Sequence, residues 1–143
     1  MSQDRTTTTP DLLADVAEFT DQYCRQTNKP RSQCINGEYI AQMVADELEE
    51  LRMARDEAEQ VDALLDICYY CLQHLSMAQV DTGPLWRLVH EANMRKFGPG
   101  GYRRESDGKW CKPEGFVPPD DEIRAELTRQ RQTQQTEPSV VHP

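Results

Sequence analysis

Apolar residues recur every three or four positions along most of this chain, with polar residues between them. On an α-helix that spacing collects the apolar side chains on one face, so the pattern predicts amphipathic helices. Four such segments are separated by short polar or glycine-containing connections, and they span about Pro10–Cys24, Glu38–Arg55, Glu57–Ala78 and Leu85–Phe97.

The pattern changes after the fourth helix. Within Tyr102–Phe116, aromatic residues flank the turn sequence Ser106-Asp107-Gly108, which predicts a small two-stranded hairpin. A short polar helix is expected over Pro118–Arg131, and residues 132–143 contain too few apolar side chains to fold, so we predict a disordered tail there. The predicted fold class is therefore all-α, a helical bundle with a small C-terminal β-hairpin.

The length and the charge narrow the possible functions. At 143 residues the chain has the size of one domain, which we place at residues 1–131 with its core at about 10–121. A formal net charge of −9 argues against binding to nucleic acid. No apolar run approaches the roughly 20 residues of a membrane span. The N-terminal sequence has no hydrophobic signal core, so a cytoplasmic location is expected.

The cysteines and histidines give little support for thiol or zinc chemistry. Five cysteines in a chain without a signal sequence do not suggest a disulfide framework. Cys68 and Cys71 are spaced like a zinc or redox pair, but they stand in mid-helix without a second pair, which favours buried structural thiols. The three histidines form no ligand set, and neither a Ser/His/Asp arrangement nor a phosphate-binding P-loop is apparent.

The acidic residues of the second helix do not all lie on its polar face. With each residue turning the helix by about 100°, Glu47 falls roughly 340° from Ile40, inside the apolar stripe that also holds Val44. Glu50 falls at roughly 280°, on the edge of that stripe. A carboxylate among apolar side chains loses its hydration and needs a partner, so Glu47 is the first candidate for a functional residue.

The third helix carries its acids in one narrow band. Glu59 and Asp62 lie three residues apart, which repeats the spacing of the acidic pair in the second helix. A short turn around Arg55 would set the two pairs face to face. Clustered carboxylates repel one another unless a cation lies between them, and hard divalent ions such as Mg²⁺ or Mn²⁺ prefer oxygen ligands. The alternative is an ordinary solvated helix face, because acidic pairs of this spacing also occur by chance.

A basic concentration follows in the fourth helix and beyond. Between Leu85 and Arg104 there are five basic residues and one acid. Asn93 and Lys96 lie three residues apart and so share a face of the helix, where they could contact phosphate. A structural explanation serves about equally well for Arg95 and Lys96, because basic residues are favoured near a helix C-terminus.

These motifs, in this order, resemble those of MazG-like all-α nucleoside triphosphate pyrophosphohydrolases, a group that includes the phosphoribosyl-ATP pyrophosphohydrolases. The resemblance covers about residues 37–121. Two departures stand out: only eight residues separate Glu50 from Glu59, and Asp46 precedes the first motif where the family often has Glu. The matching elements are Glu47-x-x-Glu50, then Glu59-x-x-Asp62 within EQVDALLDICYY, and the later run VHEANMRKFGPGGYRRESDGKWCKPEGFVPPD.

The resemblance implies that the protein cleaves the α–β phosphate bond of a nucleoside triphosphate, giving a monophosphate and pyrophosphate. The implied catalytic acids are Glu47 and Glu50, of which Glu50 would activate water. The implied ligands of Mg²⁺ or Mn²⁺ are Glu47, Glu50, Glu59 and Asp62, supported by Asp46 or Asp66. The implied phosphate contacts are Asn93 and Lys96, with Arg95, Arg103 or Arg104 as additions.

The resemblance also implies homodimers or homotetramers with active sites near subunit contacts. The base would lie against the first helix, near Phe19 or Tyr23. The resemblance to phage members of the MazZ type favours dGTP as the substrate. If the protein is phage-encoded, the expected cytoplasmic location is the cytoplasm of the host. A catalytically silent helical module that binds a nucleotide or a partner protein is the alternative, and the four intact motif acids favour the enzyme.

Overall fold

The computed structural model describes residues 9–32 and 34–137, and it confirms the predicted all-α fold with a small hairpin. No helix in this part of the chain combines the length and the apolar character that a membrane span needs. The described elements, in chain order, are α1 Leu12–Thr27, α2 Gly37–Met53, α3 Glu57–Met77, α4 Thr82–Arg95, β1 Tyr102–Arg103, β2 Trp110–Cys111 and α5 Asp120–Thr136.

Side-chain caps set the starts of the first four helices. The residue before each helix accepts a hydrogen bond from a backbone N–H of the first turn, and these residues are Asp11, Asn36, Asp56 and Asp81. Such caps satisfy N–H groups that no helical carbonyl can reach. The predicted start of α1 at about Pro10 is therefore corrected, because Asp11 is its cap and the helix begins at Leu12.

The chain divides into two compact units at Val80 and Asp81. In the first unit, α3 packs against both α1 and α2. The fully buried Thr20 lies in α1, and its hydroxyl donates a hydrogen bond to the carbonyl oxygen of Val16 at 2.7 Å. Among the described residues of this unit, the buried apolar side chains are few and mostly small: Val16, Ala63, Ala78 and Val80.

Much of the apolar surface of α3 stays exposed in the first unit. The exposed fractions of Val61, Leu64 and Leu65 are 49%, 50% and 62%. Cys68 and Cys71 are exposed as well, so the prediction of buried thiols is wrong for the single chain. The reason is that α1 and α2 cover only part of the circumference of α3, and no other described element of this unit covers the rest.

In the second unit, α4 packs against α5, and a buried amide links them. The side chain of Gln130 accepts a hydrogen bond from the backbone N–H of Asp81 at 2.9 Å and donates one to its carbonyl oxygen at 3.0 Å. Helix α5 continues to Thr136, beyond the end at Arg131 that the sequence predicted. Residues 138–143 of the predicted disordered tail lie outside the described residues.

The hairpin pairs Tyr102–Arg103 with Trp110–Cys111 in antiparallel register. Its turn is held by an ion pair between Arg104 and Asp107. Gly108 follows with a φ of +72°, a left-handed conformation that favours glycine. The hairpin and its turn sequence are therefore as predicted.

Candidate active site

Glu47 is buried, as its position on the helix predicted. It is 8% exposed, and its Oε2 atom is buried without a hydrogen-bond partner among the described residues. Burial raises the pKa of the Glu47 carboxyl above its ordinary value, and repulsion from Glu50, Asp66 and Asp62 raises it further. A buried carboxylate oxygen without a donor costs free energy, so this position favours a cation or a proton.

The acids that raise the pKa of Glu47 come from two packed helices. Glu50 lies one turn further along α2, and Asp62 and Asp66 lie one turn apart on α3. These three side chains are exposed, so the cluster opens to solvent at one end and is closed at Glu47. No three His, Cys, Asp or Glu side chains in the described part of the chain are close enough to hold a metal ion as they stand. All four acids nevertheless offer oxygen donors, which fit a hard divalent cation.

Glu59, a predicted metal ligand, interacts with Arg55 in the structure. Its carboxylate accepts hydrogen bonds from the backbone N–H of Arg55 at 2.8 Å and from Nε of the same residue at 3.1 Å. The side-chain hydrogen bond with Arg55 lowers the pKa of Glu59. The N–H of Glu59 donates to the Asp56 cap at 2.9 Å. Glu59 therefore stabilises the start of α3. The α3 acids that repel Glu47 are instead Asp62 and Asp66.

The two acids predicted to support the site have different surroundings. Asp46 accepts a hydrogen bond from Nε2 of Gln42 at 2.9 Å on the exposed surface of α2. The charge of Asp66 raises the pKa of the Glu47 carboxyl and also the pKa of the Tyr70 hydroxyl. The i, i+4 spacing of Asp62 and Asp66 is the sequence signal that places both on one face of α3.

A cavity of about 380 Å³ lies in the first unit, with Tyr70 in its wall. Burial raises the pKa of the Tyr70 hydroxyl, and Glu47 and Asp66 raise it further, so this side chain lies near both the cavity and the carboxylates. The volume is in the range of small-molecule sites. The aromatic members of the wall, which include both residues predicted to contact the base, are Phe19, Tyr23, Tyr39, Tyr70 and His74.

Asn93 and Lys96 belong to the second unit, and they are in contact as their spacing predicted. Nζ of Lys96 donates a hydrogen bond to Oδ1 of Asn93 at 2.8 Å. Both residues line a second cavity, of about 590 Å³, formed by the end of α4 and the hairpin. Arg104 also lines it, whereas Arg95 and Arg103 are not among its lining residues.

The comparison with known proteins covers the helices that carry these acids. The sequence pattern of the phosphoribosyl-ATP pyrophosphohydrolase family matches residues 16–93, which is more than half of the 143 residues. No curated protein matches the chain. The family acts as pyrophosphohydrolases on nucleotides and is typically dependent on divalent metals. This chain belongs to the phosphoribosyl-ATP pyrophosphohydrolase family, within the MazG-like all-α nucleoside triphosphate pyrophosphohydrolase superfamily.

Proposed function

We propose that this protein hydrolyses a nucleoside triphosphate between its α and β phosphates, releasing a nucleoside monophosphate and pyrophosphate. The observation that carries the proposal is the buried, unpartnered Oε2 of Glu47, surrounded by acids from two helices. Tyr70 connects these acids to an aromatic cavity. A nucleotide needs two such surfaces side by side, one for its phosphates with a cation and one for its planar base.

The cation is proposed to be Mg²⁺ or Mn²⁺, because every candidate ligand is a carboxylate oxygen. Glu47, Glu50 and Asp62 are the ligands we propose, and Asp66 completes the set. Glu59 would join them only after its carboxylate leaves Arg55. When bound, a divalent cation supplies positive charge that offsets the phosphate charge and favours ionisation of water.

Glu50 is our candidate for the residue that orients and deprotonates the attacking water. It lies one turn from Glu47 at the exposed side of the cluster, where water has access. The water oxygen bonds to the α-phosphorus, the bond to the bridging oxygen breaks, and that oxygen leaves with pyrophosphate. The water proton passes to the carboxylate, which acts as a general base. Asn93 and Lys96 are proposed to contact the phosphates.

The aromatic cavity is the proposed site of the base. Phe19 and Tyr23 would contact its face, since aromatic rings stack on planar groups. The half-buried amide of Gln73 also lines this cavity and can both donate and accept hydrogen bonds at a base edge. On the resemblance to phage members, dGTP is the substrate we propose.

We further propose that the protein acts as a homodimer or homotetramer. The exposed apolar face of α3, formed by Val61, Leu64 and Leu65, supports this proposal. Specific interfaces bury about 800 Å² on each partner, and an unpartnered helix face is a suitable centre for one. Size-exclusion chromatography with light scattering tests it, and a monomer at micromolar concentration would contradict it.

The activity is tested by incubating the protein with Mg²⁺ or Mn²⁺ and a panel of ribo- and deoxyribonucleoside triphosphates. Pyrophosphate and orthophosphate are measured separately. The proposal predicts pyrophosphate as the product and dGTP as the preferred substrate. Release of orthophosphate instead would point to a different phosphatase reaction. Binding of nucleotides without turnover of any of them would support the catalytically silent module.

A pair of variants on one helix separates the site from its surroundings. Glu47→Gln removes the buried charge and is expected to abolish pyrophosphate release. Glu49→Gln removes a charge of the same type from a side chain that is 63% exposed and paired with Arg52, so its activity should equal that of the wild type. Equal loss of activity in both variants would contradict the assignment of Glu47.

A further inference from the structure

The second cavity, between α4 and the hairpin, is basic although the protein as a whole is strongly acidic. The chain carries a formal net charge of −9, yet no carboxylate is among the described residues that line this cavity. Its charged lining residues are Lys96, Arg104, Lys109 and Lys112. A concave surface of one sign concentrates ligands of the opposite sign, so the lining favours an anion.

Two of these cations are held at one aromatic ring. Nζ of Lys96 lies 5.8 Å from the ring centroid of Phe116, and Nζ of Lys112 lies 5.6 Å from it. No described carboxylate forms an ion pair with either lysine. Arg104 differs, because its charge is already paired with Asp107. Lys109 has no ion pair among the described residues either, but only Lys96 and Lys112 share an aromatic ring, so these two are the pair of cations available to one ligand.

The backbone around these lysines is closely packed. The indole Nε1 of Trp110 donates a hydrogen bond to the carbonyl oxygen of Lys96 at 2.7 Å, which ties β2 to the end of α4. A Cβ atom on Gly101 would lie only 2.3 Å from that oxygen and 3.0 Å from the indole nitrogen, so glycine is required there. The backbone of Lys96 is thus tied to β2, which Lys112 follows directly in the chain, and this preorganisation reduces the entropy lost on binding.

We propose that this cavity binds phosphoryl groups and that Lys112, in the hairpin, is a phosphate-binding residue. Two unpaired ammonium groups at one ring gain a counter-charge when an anion lies between them. The phosphoryl groups belong either to the polyphosphate tail of the substrate, which rests on the proposed function, or to free pyrophosphate or phosphate. Lys112 extends the phosphate contacts of Asn93 and Lys96 into a part of the chain beyond the match at residues 16–93.

Calorimetric titration of the full chain with tripolyphosphate, pyrophosphate and phosphate in EDTA tests this proposal. Lys112→Gln should weaken tripolyphosphate binding about tenfold, because it removes one charge-assisted hydrogen bond. Lys112→Arg should restore most of the affinity. Lys112→Met keeps an unbranched side chain of similar length without the charge and should bind as weakly as the glutamine variant. Lys29→Gln, at an exposed lysine of the first unit, removes the same charge elsewhere and should bind like the wild type.

Thermal unfolding of each variant shows whether the hairpin is intact, and the methionine variant replaces the glutamine one if that one is unstable. Unchanged affinity in folded Lys112→Met would overturn the proposal. If the KM of the Lys112 variants for the triphosphate rises as much as their affinity for tripolyphosphate falls, the ligand is the polyphosphate tail of the substrate. If their KM is unchanged while phosphate binding is weaker, the cavity is a separate anion site. If the wild type hydrolyses no triphosphate, the proposed function fails, but the titration still decides whether the cavity binds phosphoryl groups.

Discussion

The substitution Glu47→Gln should stabilise the metal-free protein even though it abolishes activity. In the wild type, a carboxylate that is 8% exposed has one oxygen without a partner and is repelled by Glu50, Asp62 and Asp66. Glutamine has nearly the same shape and no charge, and its amide can donate a hydrogen bond to a neighbouring acid. Leaving a buried polar group unpaired costs about 1–3 kcal/mol, and we expect about 1 kcal/mol of this to be recovered.

For a chain of this size, 1 kcal/mol corresponds to a rise in Tm of about 4 °C. The measurement is thermal unfolding followed by circular dichroism at pH 7, in EDTA and again in saturating Mg²⁺. The wild type should gain stability on adding Mg²⁺, because an ion that binds only the folded state shifts the equilibrium towards it. Glu47→Gln should begin with the higher Tm and gain little from Mg²⁺.

Glu49→Gln is the control, since its side chain is exposed on the same helix. Its Tm should match the wild type in EDTA and should rise by the same amount in Mg²⁺. A lower Tm for Glu47→Gln in EDTA would refute the reasoning, because Glu47 would then be a favourable structural contact. An equal response of Glu47→Gln and the wild type to Mg²⁺ would refute its role as a ligand.

Three further substitutions test other contacts. Hydrogen bonds from Arg129 and Gln130 lower the pKa of Glu126 from 4.5 to about 2. The ionised carboxylate therefore stabilises the folded protein above pH 4.5, and this stabilisation is lost as the pH falls towards 2. The Tm difference between wild type and Glu126→Gln should therefore shrink over that range. Gln73→Leu should reduce discrimination between bases about tenfold in kcat/KM, and a full panel of triphosphates measures this. Gln130→Ala breaks both hydrogen bonds to Asp81 and should cost about 1–3 kcal/mol in urea unfolding; no loss would show that the link is dispensable.

Several features followed from local rules, so the sequence was enough to predict them. The helices obey a simple apolar period, and the hairpin turn contains a glycine that needs a left-handed conformation. The burial of Glu47 followed from its helical angle alone. These features depend on residues close together in the chain, which is why no knowledge of packing was needed.

Other features depended on which surfaces meet. Arg55 and Glu59 pair because the turn before α3 is short, and no periodicity shows that an arginine rather than a metal ion will hold that carboxylate. The exposure of Cys68 and Cys71 depends on how far α1 and α2 reach around α3. Helix α5 extends to Thr136, beyond its predicted end, because a polar segment can continue a helix that Gln130 already links to Asp81, and low apolar content alone does not reveal this.

The thin apolar interior of the first unit has a consequence for its folding equilibrium. Among its described residues, the buried apolar side chains other than Val16 and Val80 are alanines, while larger ones on α3 face outward. In the homo-oligomer that we propose, part of the apolar surface is buried only when subunits associate. Folding and association are then coupled, and the apparent stability depends on the protein concentration. For a dimer, each tenfold dilution removes about 1.4 kcal/mol of apparent stability. Melting curves of this protein are therefore comparable only at a stated subunit concentration.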